Sequence, residues 1–207
     1  MCQVKNTDKI EDIKNISAIY KLLSRAFIRE VDAQFLRQLR TADFYESLKS
    51  AGVDFGDEFL KQNEDSLLED LAVEYARLFI VPGGGVSPYE SVYLEQRVYG
   101  EAAGQVKEFY HQCGLTVVSE SMMPDHIGLE LELMGHLKCN EAEAIKNDNL
   151  GNSKWVDLFQ QFTTDERNKW MTQFFTDVEK VAEHAFYKGM AMLGKGMTER
   201  DDNNSTI

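Results

Sequence analysis

This sequence has few cysteines and no long apolar run. Its three cysteines, Cys2, Cys113 and Cys139, are widely separated and form no Cys-x-x-Cys pair, so neither a disulfide framework nor a thiolate zinc site is indicated. No apolar run approaches the length that spans a bilayer. The amino terminus is polar and acidic where a signal peptide needs an apolar segment. These absences predict a soluble, cytoplasmic protein.

Positive charge is also scarce. The chain has 22 Lys and Arg against 35 Asp and Glu, a formal net charge of −13. Nucleic acids and anionic membrane surfaces both require basic patches, so no nucleic-acid partner and no membrane insertion are expected. A basic partner would be attracted, although many proteins are acidic for solubility alone.

Two of the three prolines lie in one turn region, the segment Pro82-Gly83-Gly84-Gly85 and the following Pro88-Tyr89. Proline fixes φ and glycine frees it, so this connection has a specified entrance and a compliant middle. Such loops often accept ligands. The rest of the chain is arranged around this stretch.

Apolar residues recur every three or four positions through most of the chain and predict an all-α fold. We expect a single irregular bundle of roughly eight to ten helices in one domain, residues 1–195. The first helix is predicted from Ile16 to about Glu30, and Gly194 and Gly196 are predicted to end a long last helix. A mobile loop is expected near 140–154, and a disordered tail over 196–207. The one β-branched cluster, 115–118, is too short to indicate a sheet.

Signals of catalysis are weak. Glu108-x-x-His111 occurs once, whereas a di-iron bundle needs two such motifs, so no metal site is expected. Gly83–Gly85 follows a helix, and no Gly-Lys-Ser/Thr comes after it, so a phosphate cradle is poorly supported. No Gly-x-Ser-x-Gly elbow surrounds Ser91. The chain is therefore predicted not to be an enzyme and to need no cofactor; a GTP-dependent enzyme or switch using the glycine loop stays as the alternative.

A binding surface is the better-supported interpretation. Tyr75, Leu78 and Phe79 end one helix, Pro88 and Tyr89 follow in the loop, and Asp125 and His126 open another helix. Rings beside a carboxylate suit a peptide with apolar and cationic side chains, because Asp can hold a guanidinium while the rings pack its stem. From spacing alone, ordinary core packing explains these residues at least as well.

Taken in order, several blocks resemble the TorD/DmsD/NarJ family of redox-enzyme maturation chaperones. The blocks are the helix end 74–79, Pro-Tyr-Glu-Ser-Val-Tyr-Leu at 88–94, Pro-Asp-His-Ile-Gly-Leu-Glu-Leu-Glu at 124–132, and Phe186-Tyr187 in a carboxy-terminal helix. The resemblance covers about residues 15 to 193.

The resemblance implies a cytoplasmic chaperone that binds the twin-arginine signal peptide and apoprotein of a molybdoenzyme and assists cofactor insertion before export. By similarity, the peptide-binding positions are Tyr75, Leu78, Phe79, Pro88, Tyr89, Gly100, Asp125 and His126. The family implies a monomer or a helix-swapped homodimer, with 119–123 as a possible hinge. An adaptor that binds only the mature catalytic subunit is an alternative, and the client is not specified.

Overall fold

The computed structural model describes residues 2–81, 85–117, 122–147 and 152–205, and these residues form eleven helices and no strand. The helices are α1 (Cys2–Ile28), α2 (Ala33–Leu39), α3 (Ala42–Ser50), α4 (Asp57–Lys61), α5 (Glu64–Phe79), α6 (Glu90–Glu95), α7 (Glu101–Gln112), α8 (Ile127–Lys146), α9 (Asn152–Phe162), α10 (Asp165–Val181) and α11 (Ala185–Ser205). The predicted all-α class is confirmed.

Two long helix pairs organise the bundle: α1 lies along α8, and α10 lies along α11. The first pair approaches closely because glycines of α8 face α1. A Cβ at Gly128 would come within 2.7 Å of the Ile28 side chain. About two turns further along α8, the Ser17 hydroxyl donates to the Gly135 carbonyl at 2.7 Å. Small residues let two helix backbones approach, so α1 and α8 form a rigid wall.

Aromatic rings fill the core between α1, α5, α10 and α11. Phe27 packs against three rings, with centroid distances of 6.0 Å to Phe79, 5.4 Å to Phe174 and 5.7 Å to Phe175. Tyr187 of α11 lies 6.1 Å from Phe79. Such edge and tilted contacts are the preferred geometries of aromatic pairs. The carboxy-terminal end of α5 is thereby fixed in the core.

The helix limits differ from the sequence-based predictions at both ends. Helix α1 begins at Cys2, well before Ile16. The expectation that glycines end the last helix is wrong, since α11 continues to Ser205. Gly194 faces the Phe175 ring with no room for a Cβ, so it serves helix packing instead of termination. The expected disordered tail is therefore corrected for residues 196–205, which are helical; residues 206 and 207 lie outside the described part.

The expected loop near 140–154 is also corrected in part. Helix α8 includes residues 140–146, and Glu141, Ala142 and Ala144 are buried there. The Lys138 ammonium pairs with Glu141 at 3.0 Å and lies 3.8 Å from the Phe159 ring centroid of α9. This contact keeps the polar end of α8 helical. Residues 148–151, and residues 119–121 of the possible hinge 119–123, lie outside the described part.

A further correction concerns the predicted long last helix, which is two helices, α10 and α11, separated by residues 182–184. Glu74 of α5, which is 6 % exposed, reaches this break and accepts hydrogen bonds from the backbone N–H groups of Glu183 and His184. Arg77 pairs with the same carboxylate at 2.7 Å. A helix start is thus capped by a carboxylate from another helix.

Candidate functional site

The loop after α5 and the turn before α8 meet in a short two-stranded contact. Tyr89 and His126 form an antiparallel β-bridge. The Ile127 N–H donates to the Pro88 carbonyl at 2.8 Å, and the Glu90 N–H donates to the Asp125 carbonyl at 3.0 Å. The two blocks that are distant in sequence are therefore adjacent, and they form the centre of the candidate site.

Asp125 is fully buried, and its carboxylate serves the backbone. Its Oδ2 accepts the Ser91 N–H at 3.0 Å, in the first turn of α6. A carboxylate there also suits the helix dipole. Its Oδ1 has no hydrogen-bond partner within the described part of the chain. Asp125 therefore lies beneath the surface, where a peptide side chain would not reach it in this conformation.

His126 is the N-cap of α8. Its Nδ1 accepts the Gly128 N–H at 3.0 Å, and its ring packs edge-on against Tyr89 at 5.2 Å. Burial lowers the pKa of His126 to about 4, because the charged imidazolium is poorly solvated there. The side chain is neutral at physiological pH and holds the helix start in place.

Tyr75, Leu78 and Phe79 face the aromatic core at the end of α5. Leu78 is fully buried, Tyr75 is 7 % exposed and Phe79 is half-buried. The Tyr75 hydroxyl donates to the Phe27 carbonyl at 3.2 Å, and its ring lies 5.1 Å from that of Phe79. Burial raises the pKa of Tyr75 to about 12.

Tyr99 was not predicted, and it is the most exposed ring of this region. It is 75 % exposed, and its backbone is left-handed with φ of 64°, an uncommon conformation for a bulky residue. It lines the same cavity as Met123 and Pro124, which lead directly to His126, the partner of Tyr89 in the bridge. No pattern in the sequence predicts this left-handed backbone conformation. We call the half-buried or exposed rings of Phe79, Tyr89 and Tyr99 the ring surface.

Gly100 and Pro88 are buried and shape the edge of the ring surface. Gly100 is the N-cap of α7, and a Cβ there would collide with the Glu95 carboxylate. That carboxylate accepts the Ala102 N–H at 2.8 Å. A cavity of about 410 Å³ opens beside Gly100 and is lined in part by Tyr99, Met122 and Met123. Flexible methionine side chains can adapt to different apolar ligands.

Beneath the bridge lies a buried cluster of charge that the sequence did not reveal. Arg167 of α10 approaches Glu90 of α6 at 3.2 Å and Glu130 of α8 at 3.5 Å. Glu90 is 2 % and Glu130 0 % exposed. Burial raises the pKa of both carboxyls, and the charge of Glu90 raises that of Glu130 further. The single guanidinium of Arg167 can balance only one carboxylate. Glu130 therefore retains its proton at pH values well above the usual pKa of a glutamate side chain.

This charge cluster joins three helices directly under Tyr89. The Arg167 guanidinium also lies 4.3 Å from the Phe162 ring centroid and donates to the Phe162 carbonyl at 2.9 Å. Glu90 follows Tyr89 in the chain, so the ion pair anchors the bridge to α10. The alternation Leu129-Glu130-Leu131 inside a buried segment was the only sequence signal for it.

Other predictions fall partly outside the described residues. Of the glycine loop, Pro82, Gly83 and Gly84 are not described, whereas the Val86 N–H donates to the Leu78 carbonyl at 2.7 Å. Within the described residues, no group of three or more His, Cys, Asp or Glu is placed to hold a metal. Among the same residues, no helix is long and apolar enough to cross a membrane.

Together, the described residues form an all-helical bundle with a ring-lined surface held by buried polar groups. Comparisons with known proteins agree with this class. The nitrate reductase delta subunit family matches residues 33–176. The chaperone protein TorD of Shewanella sp. (strain ANA-3) is 32 % identical, covering 92 % of this chain and 94 % of its own. TorD of Shewanella oneidensis is 33 % identical, covering 92 % and 90 %.

A solved structure gives the same result. A putative redox enzyme maturation protein from Archaeoglobus fulgidus has a TM-score of 0.58 and 25 % identity, covering 89 % of this chain and 93 % of its own. The chain belongs to the nitrate reductase delta subunit family, which includes the TorD/DmsD/NarJ redox-enzyme maturation chaperones. The relatives are named as chaperones and a maturation protein, and the prediction that the chain is not an enzyme is confirmed.

Proposed function

We propose that the protein is a cytoplasmic chaperone for a molybdoenzyme, binding the twin-arginine signal peptide and the apoprotein so that cofactor is inserted before export. The observation that carries this proposal is the ring surface, in which Phe79 and Tyr89 are half-buried and Tyr99 is exposed, beside the bridge in a protein of net charge −13. The names of the relatives support the client class.

The site residues divide into two roles in this proposal. Phe79 and Tyr89 contact the apolar part of the leader, since aromatic side chains bury large area with few rotatable bonds. Leu78, Asp125 and His126 lie inside and hold those rings in position. Asp125→Ala is then expected to weaken leader binding by loosening α6, together with a loss of stability. Net negative charge speeds the encounter with a basic peptide.

The test is calorimetric titration with a synthetic peptide that carries two adjacent arginines followed by an apolar segment. Tyr89→Ala should weaken binding about tenfold or more, because truncating a central aromatic anchor commonly costs over 1 kcal/mol. Phe44→Ala removes a ring of similar burial on α3 and should leave affinity unchanged. Circular dichroism checks that both variants are folded.

Two results would contradict the proposal. Equal peptide affinity of Tyr89→Ala and the parent protein would remove the ring surface from the binding site. Binding of a mature catalytic subunit without its leader, combined with no binding of the peptide, would instead identify an adaptor for the folded enzyme.

A further inference from the structure

We propose that the exposed face of α10 is a docking surface for a second copy of this chain, with the two α10 helices antiparallel across a two-fold axis near Gln173. The supporting observations are a symmetric order of charges along this face and two open cavities that share Gln173 in their lining. The inference goes beyond the proposed function, because it concerns assembly of the protein and involves no peptide.

The charged side chains of this face follow a pattern that is symmetric about Gln173. They are Glu166 and Lys169 before it, and Asp177 and Lys180 after it. The intervals are three, four, four and three residues, so at 3.6 residues per turn all five lie within about 40° of one line along the helix. In the reverse direction, the order minus, plus, neutral, minus, plus becomes plus, minus, neutral, plus, minus. The face is therefore complementary to an antiparallel copy of itself.

The antiparallel arrangement pairs every charge with an opposite one. Glu166 lies opposite Lys180 of the second copy, and Lys169 lies opposite Asp177. Each pair occurs twice, because a two-fold interface repeats every contact. Gln173 meets its own copy, and an amide can bond to another amide since it carries both donors and an acceptor. A parallel arrangement would set each charge against its own sign and is disfavoured.

Three of these four charges are unpaired in the described part of the chain. Glu166, Lys169 and Lys180 are exposed, and no ion pair reaches them among the described residues. Glu166 and Lys169 are three positions apart, a spacing at which opposite charges can pair on one helix, but they do not pair here. A second copy can therefore engage these charges without breaking an ion pair of the monomer.

The centre of the face is fixed by contacts with α6. The Gln173 amide donates to Asp177 Oδ1 at 2.8 Å, and the Tyr93 hydroxyl of α6 donates to Asp177 Oδ2 at 3.2 Å. The Tyr93 ring packs on Trp170, with a centroid distance of 5.6 Å. Side chains that are already held in place lose little conformational freedom on association, which favours binding.

The surface beside the charges has room for apolar side chains. A cavity of about 590 Å³ is lined by Leu94, and one of about 600 Å³ by Val181; Tyr93 and Gln173 line both. Leu94 is 41 % and Val181 36 % exposed. The antiparallel arrangement brings the first cavity of one copy to the second cavity of the other, where Leu94 and Val181 of different copies pack together. Apolar burial then adds to the charge pairs.

The experiment is sedimentation velocity on the full chain over a wide range of concentration. The parent protein should form a dimer that dissociates on dilution. Lys180→Glu places a carboxylate opposite Glu166, and Glu166→Lys places an ammonium opposite Lys180. Each single variant should dimerise at least about tenfold more weakly, since the repulsion enters the interface twice. An equimolar mixture of the two single variants, and the double variant alone, should dimerise again because every introduced charge meets an opposite one.

Lys9→Glu and Glu11→Lys are the matched controls, since they change the net charge equally at exposed positions on α1. Both should dimerise as the parent does, and circular dichroism checks the fold of every variant. A parent that is monomeric at all concentrations, single variants that dimerise as well as the parent, or a mixture that stays monomeric would each overturn the proposal. A helix-swapped dimer would give the second of these results, because its contacts do not depend on this face.

Discussion

Removal of the Arg167 guanidinium should make the stability of the protein strongly dependent on pH. Arg167→Met keeps an apolar stem of similar length against Phe162 and removes the charge. Glu90 and Glu130 then lie buried beside each other without a counter-charge, at 2 % and 0 % exposure. Breaking a buried pair in this way costs about 3–5 kcal/mol.

The cost has a limit that depends on pH, because Glu90 can bind a proton instead of remaining charged. At a pH above 4.5, the usual pKa of a glutamate side chain, keeping the Glu90 carboxyl protonated costs about 1.4 kcal/mol per pH unit. The cost is about 5 kcal/mol at pH 8 and about 1.4 kcal/mol at pH 5.5. A carboxyl whose pKa is raised by folding contributes stability that is complete below its unfolded pKa and is lost as pH rises. The variant should therefore lose about 3–5 kcal/mol at pH 8 and about 1–2 kcal/mol at pH 5.5.

Urea unfolding of parent and variant at both pH values measures this difference, and comparison at equal pH cancels the titration of other groups. Glu130→Gln is the companion variant. Because Glu130 retains its proton, and holding that proton becomes more costly as pH rises, replacement by a neutral amide should not destabilise the protein at pH 8 and should make its stability fall less between pH 5.5 and pH 8. An equal loss for Arg167→Met at pH 5.5 and pH 8 would show that packing, not charge, is responsible.

Two further variants test the supports of the ring surface. His126→Asn keeps an N-cap for α8 and removes the titrating group. Because the pKa of His126 is lowered from 6.5 to about 4, the parent protein should lose up to about 3 kcal/mol of stability as pH falls from 6.5 to 4. In urea unfolding at acid pH, His126→Asn should lack that part of the loss. Gly100→Ala should displace the Glu95 carboxylate from the Ala102 N–H and cost about 1 kcal/mol, the usual value of a helix cap; thermal unfolding that matches the parent would contradict this.

The helical fold was predictable because its signal is local. Periodic apolar residues and caps such as Asp32, whose side chain accepts the Phe35 N–H at 2.8 Å, are written in short windows of sequence. The wrong predictions of a helix end at Gly194 and Gly196 and of a loop over 140–146 have a different cause. Gly194 permits contact with Phe175 and Lys138 reaches Phe159, and tertiary contacts of this kind override local propensity.

The two sequence blocks of the candidate site could be predicted, but the arrangement of their side chains could not. The blocks around Tyr89 and His126 could be singled out, and the structure places them side by side. Whether a residue of these blocks is accessible depends on its burial. Periodicity of apolar residues does not predict burial in a loop. Tyr99 was missed because its exposure depends on a left-handed backbone. Arg167 was missed because its partner Glu90 lies 77 positions away in the chain.

The polar residues of the two blocks and the rings between them have separate physical tasks. Asp125 holds the start of α6, His126 holds the start of α8, and Glu90 ties the bridge to α10 through Arg167. All three acceptors are buried, so their removal would cost stability before it removed any peptide contact. A loss of leader binding in an Asp125 or His126 variant is therefore informative only beside its unfolding free energy. Tyr99 is exposed and Tyr89 is half-buried, so variants of these two rings separate binding from folding.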